Sequence, residues 1–183
     1  MSALSKSVVV DFCELCGWAY QCWLNHRELF DENLRAEELQ KSSAREALAR
    51  LSVISQEYSL LQVAKLHDHA VVSGKVTLSI DYVVSYGGWS VSVRQQLEEL
   101  KGKLDVLGSQ LRGARNKSLS HNDLSAVLSR SPLGVFQKGD DEIYFQHLQE
   151  FVDIVHGEIV GGPWPFDELV KTDVAKLLAM LKR

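Results

Sequence analysis

The stretch from Val93 to Ala114 constrains the fold more than any other part of the chain. Val93, Leu97, Leu100, Leu104, Leu107, Leu111 and Ala114 recur at intervals of four and three without a miss, the spacing that lays one apolar stripe along an α-helix. A stripe of about six turns cannot cover itself and requires other helices packed against it. Four further segments carry the same periodicity. The first, from about Ser5 to Phe30, puts Leu4, Val8, Phe12, Leu15, Ala19 and Cys22 on one stripe. The second, from about Ser43 to His67, turns Ala47, Leu51, Ile54, Tyr58 and Leu61 inward. Another, from about Asp141 to Glu158, carries Tyr144, Leu148, Phe151 and Val155, with Ile159 just beyond. The last, Phe166 to Leu181, uses Val170, Val174, Leu177 and Leu181, with Asp167 as its cap and Gly161-Gly162-Pro163-Trp164-Pro165 breaking the chain before it.

One segment reads two ways. Val76, Leu78, Ile80, Tyr82 and Val84 alternate with mostly polar neighbours, which is strand periodicity. Ser79 can instead cap a short helix that ends at Gly87-Gly88, and a lone strand has no partner nearby, so the helix is favoured. Short connections between long helices make antiparallel neighbours. The expected fold is therefore all-α, an up-and-down bundle of four to six helices. Residues 1–183 form a single domain with a C-terminal extension helix at about 166–182. The 183 residues can bury a proper core, and only 3 prolines, unclustered, leave no disordered linker.

The formal net charge of -4 argues against general avidity for nucleic acid but leaves room for a local basic site. Near the N-terminus, Asp11 and Glu14 interrupt the apolar run that begins at Val8, which fits neither a signal peptide nor a membrane span; a cytoplasmic protein is expected. Cys13, Cys16 and Cys22, an odd number in a chain read as unexported, are expected to be reduced. With His26 they form Cys-x2-Cys-x5-Cys-x3-His, on its face four zinc ligands. Zinc pairs sit on turns or ribbons, however, whereas these lie in a helical segment with Trp18, Ala19, Tyr20, Trp23 and Leu24. Packing is the favoured role, and no metal or cofactor is expected.

The chemically distinctive segment begins where the longest stripe stops: Arg115-Asn116-Lys117-Ser118-Leu119-Ser120-His121. Asn116 is a poor helix-interior residue, and Ser120 with Asp123 has capping-box spacing, so a new helical turn can open there. His121 then falls in a first turn, where free N–H groups attract anions and favour the neutral imidazole. Arg115 supplies a fork that matches a phosphate. From Arg94 to Lys117 six basic residues, Arg112 and Lys117 among them, stand against Glu98, Glu99 and Asp105. A guanidinium that stabilises charge on phosphate oxygens and an imidazole that moves a proton are suitable parts for cleaving RNA through its own 2′-hydroxyl. The bland alternative is an arginine complementing a helix end and a solvated loop histidine.

Arg115-Asn116, four residues and His121, in a helical bundle, resembles the HEPN superfamily (higher eukaryotes and prokaryotes nucleotide-binding). The segments Tyr58 to Asp68 and Gly74 to Ile80 upstream are similar to its bacterial abortive-infection branch of type U, and the likeness covers roughly Leu15 to His156. The resemblance implies a metal-independent endoribonuclease, a toxin or phage-defence effector, in which a homodimer brings two Arg…His motifs to one composite site. Arg115 and His121 would be catalytic, Asn116 would orient or contact the phosphate, and Lys117 and Arg112 would bind RNA. An antitoxin or a nucleotidyltransferase would be the further partner. Asp123 stands where one group of the superfamily carries an adenylylated tyrosine, so that form of control is not expected. The alternative is a non-catalytic HEPN bundle that binds RNA, nucleotide or a partner protein.

Other residues have structural readings. His67 and His69 flank Asp68 after a long helix, where such residues cap and solvate. Trp89 and Trp164 could stack bases but are expected to seal the core or an interface, and His147 and His156 have no partner pattern.

Overall fold

A computed structural model describes residues 4–31, 41, 43–114 and 137–180. Among them stand six α-helices: α1 (Lys6–His26), α2 (Arg45–Leu66), α3 (Ile80–Tyr86), α4 (Val91–Ala114), α5 (Asp140–Ile159) and α6 (Leu169–Met180). A π-helical turn, Arg27–Asp31, follows α1, and a hairpin of β1 (Val71–Val72) and β2 (Lys75–Val76) separates α2 from α3. The fold is an all-α helical bundle, as the periodicity predicts. No helix among the described residues is long and apolar enough to cross a membrane.

The chain divides into two compact units, one of Met1–Cys16 and Val63–Pro165, the other of Gly17–Gln62 and Phe166–Arg183. In the first, α4 and α5 make the most extensive helix pair. The α4 stripe buries Val93, Leu97, Leu100, Leu104 and Leu111. From α5 come Tyr144, Phe145, Leu148, Phe151, Val152 and Val155, and the first half of α1 adds Val9, Phe12, Cys13 and Cys16. Phe12 meets Phe151 edge to face at 6.0 Å. Each fully buried Leu, Val or Phe contributes about 1.5–3 kcal/mol relative to leaving it in water. Asp140, Asp141 and Glu142 place negative charge at the α5 N-terminus, where the helix dipole favours it.

Two predicted stripes are rotated. In α1 the buried face is Val9, Phe12, Cys13, Cys16 and Ala19, while Leu15 is exposed and Val8 and Cys22 are half-buried. In α2, Ala47, Leu51, Ile54 and Tyr58, expected to face inward, are exposed, and burial begins at Ser59 and continues through Gln62, Val63, Ala64 and Leu66. Apolar residues abound on several faces of both helices, so spacing alone does not select the face that meets a neighbour.

The two-way segment resolves into both readings in succession. Val76 does find a strand partner, pairing with Val71, while Lys75 pairs with Val72. The two residues between the strands, Ser73 and Gly74, have φ of 51° and 78°, which suits the tight turn that matches strand twist. Ser79 then caps α3 as expected, its hydroxyl accepting from the Tyr82 N–H at 3.2 Å, and Gly87 closes the helix. Asp167, as expected, accepts from the N–H of Leu169 at 2.7 Å ahead of α6. In the second unit the π-turn packs on α6, and Tyr20 stacks on Phe166 at 5.0 Å while its hydroxyl donates to Glu168.

Candidate functional site

A polar cluster of the first unit is assembled around His67, one residue past the end of α2. Its ring is buried and lies flat against the backbone of α4: a Cβ on Gly108 would stand 2.2 Å from its Nδ1. Only glycine leaves that space. Nδ1 is 3.0 Å from Asp105 Oδ1 and Nε2 is 2.9 Å from the Tyr144 hydroxyl. A carboxylate can only accept, so Nδ1 donates to Asp105, while Nε2 pairs with the Tyr144 hydroxyl. One side chain thus ties the end of α2 to α4 and α5.

The carboxylate is held from its other side as well. Lys101, one turn earlier on α4, donates to Asp105 Oδ2 at 2.9 Å and stands 3.8 Å from Asp81 on α3. Asp81 in turn accepts the N–H of Ala70 at the base of the hairpin, at 3.0 Å. The hydrogen bond from His67, reinforced by Lys101 against the opposing effect of burial, brings the Asp105 carboxyl down to about 2. Burial, with the nearby Cys16 and Asp105, pushes the Tyr144 hydroxyl well above its ordinary range, so it remains a donor.

The cluster opens to solvent at Arg112, in the last turn of α4. Its Nη1 donates to the His67 carbonyl at 3.2 Å and reaches the exposed His69 at Nε2, 3.4 Å away. A cleft of about 90 Å³ lies between these groups, lined also by Lys101, Asp81 and Asp105. The arrangement has a buried half that holds three helices in register and an open half that presents a guanidinium and an imidazole side by side.

Of the sequence-predicted site residues, Arg112 is described and sits in this cluster. Arg115, Asn116, Lys117 and His121 lie outside the described residues, as do Ser120 and Asp123. Within the described residues α4 runs to Ala114, and Arg115 is the next residue of the chain. Asp105, Lys101 and Tyr144 were not legible as site residues. The only local signal was His67-Asp68-His69, and its reading needs correcting: His67 is buried and doubly hydrogen-bonded rather than solvated.

The remaining candidates are structural. Cys13 and Cys16 are fully buried, and burial raises the Cys13 thiol to about 12, helped by Asp153, and the Cys16 thiol well above its usual range. They pack as core residues. Among the described residues no group of three or more His, Cys, Asp or Glu could hold a metal ion. Trp89 folds back over Gly87 and donates to the Val83 carbonyl at 2.9 Å. Trp164 lies against the His156 ring, and its backbone N–H donates to Asp153 at 2.8 Å. His156, buried, finds its partner in the Gly162 carbonyl at 2.8 Å.

Compared with known proteins, residues 3–178 match the family model HEPN_AbiU2, described as AbiU2. The match reaches further at both ends than the likeness seen in the sequence and takes in most of α6. No curated protein matches the chain. No solved structure matches it either.

Proposed function

The chain belongs to the AbiU2 family of HEPN-domain proteins, a family linked to abortive infection, and from that premise we propose that it is a metal-independent endoribonuclease acting through Arg115 and His121. The observation that carries the reading is the sequence Arg115-Asn116…His121 directly after the last described residue of α4, in a chain matched by a HEPN family over nearly its whole length. Arg112, one turn earlier, already meets a cleft with an exposed histidine.

In the proposed reaction a ribose 2′-oxygen attacks the adjacent phosphorus and the bond from phosphorus to the 5′-oxygen breaks. A 2′,3′-cyclic phosphate and a free 5′-hydroxyl result, with no metal and no outside co-reactant. Arg115 balances charge on the phosphate oxygens, and His121 carries a proton from the nucleophile or to the leaving oxygen. Asn116 orients the phosphate, and Lys117 and Arg112 bind the RNA backbone. A second copy of the chain supplies the second Arg…His pair, because a proton must be both removed and delivered and each motif holds a single imidazole. An antitoxin or nucleotidyltransferase would restrain the activity in the cytoplasm.

Purified protein in excess chelator is expected to cut single-stranded RNA and leave cyclic phosphate ends. His121→Ala and Arg115→Ala are each expected to lower the rate at least 100-fold, in line with the usual worth of acid–base and oxyanion groups, with unchanged circular dichroism. RNA left intact by wild type, or cut equally by the His121→Ala protein, would leave a binding bundle without catalysis.

A further inference from the structure

The open half of the His67 cluster has the parts of an anion subsite. Arg112 is fixed by its Nη1, which bonds the His67 carbonyl and His69. Both bonds leave from the same nitrogen, which leaves Nε and Nη2 without a partner among the described residues, the pair that suits a bidentate oxyanion. Beside it, His69 is exposed, while its neighbour two residues earlier is buried and fully engaged. The carboxylates of the cleft are already answered: Asp105 by His67 and Lys101, Asp81 by the Ala70 N–H and the more distant Lys101. The guanidinium has no carboxylate partner among the described residues, although the cleft contains two.

We infer that Arg112 and His69 form a subsite for a phosphate of the RNA backbone. It is separate from the phosphate held at Arg115 and rests on the ribonuclease reading only for the identity of the strand. His67 is the positioning residue: its carbonyl aims Arg112, and its ring, locked by Asp105 and Tyr144, keeps that carbonyl in place. The cleft is small, so it takes a phosphate and not a base, and the contact adds affinity without sequence preference.

The test uses a short 2′-O-methyl oligoribonucleotide, which keeps the phosphates but lacks the free 2′-hydroxyl and cannot be cut. Its binding to the full chain is followed by fluorescence anisotropy over a range of salt concentrations. His69→Ala and Arg112→Gln are each expected to weaken binding about 3- to 10-fold, the usual worth of one or two hydrogen bonds. Arg112→Gln should also flatten the salt dependence by about 0.7 in log–log slope, the value of one lost contact to a single strand. Inorganic phosphate titrated into wild type should shift the His69 ring resonances saturably and leave those of His67 in place. Wild-type affinity and slope in both variants would overturn the subsite. So would a phosphate-induced shift at His69 with no loss of oligonucleotide affinity, since the cleft would then take free phosphate only. Cleavage of unmodified RNA is scored apart: a chain that binds through this cleft and cuts nothing keeps the subsite and loses the ribonuclease reading.

Discussion

Gly102 and Gly108 lie on the same helix, six residues apart, and should respond to alanine with opposite signs. By helix propensity alone each Gly→Ala change gains about 1 kcal/mol. Around Gly102 a new Cβ meets nothing within 4 Å, so Gly102→Ala is expected to keep that gain. At Gly108 the Cβ would fall 2.2 Å from Nδ1 and 2.3 Å from Cε1 and Cγ of His67, far closer than van der Waals contact allows. The ring cannot yield by turning, because Asp105 and Tyr144 hold its two nitrogens. Displacing it costs about 1–3 kcal/mol for overpacking. A buried Tyr144 hydroxyl left unpaired costs about 1–3 kcal/mol more. After subtracting the propensity gain, Gly108→Ala should be destabilised by about 1–5 kcal/mol. Urea unfolding followed by far-ultraviolet circular dichroism measures both variants against wild type. A Gly108→Ala protein as stable as the Gly102→Ala protein would refute the close packing of His67 on α4, and with it the aiming of Arg112.

Two further outcomes follow from the same geometry. The Asp105 carboxyl is lowered to about 2, so its hydrogen bonds to His67 and Lys101 stabilise the fold above the ordinary carboxylate range and that contribution fades as pH falls from about 4 towards 2; the stability gap between wild type and Asp105→Asn should be open at pH 5 and narrow at pH 2, and a gap independent of pH would sink the assignment. Because burial raises both thiols, Cys13 and Cys16 should resist alkylation by iodoacetamide at pH 8 in the native protein and react in urea, as peptide mapping by mass spectrometry would show; rapid native labelling at either residue would contradict their core placement.

Local pattern settled much of this protein before any contact was known. Helix α4 reads directly from its unbroken stripe, and Ser79 from its position before a short helical run. These features depend on residues within a turn or two of each other, where backbone sterics and hydrogen bonding act. The Arg115…His121 motif could be read for the same reason, being seven residues long.

What the tertiary structure alone decided is which faces meet and which distant polar groups share a proton. The buried faces of α1 and α2 were set by their neighbours, since Val8 and Val9, or Leu51 and Leu61, are equally apolar to a sequence pattern. His67 finds Asp105 38 residues away and Tyr144 77 residues away. No local spacing encodes such a pairing, because its free energy exists only once the chain has excluded water from the imidazole and left it those two partners.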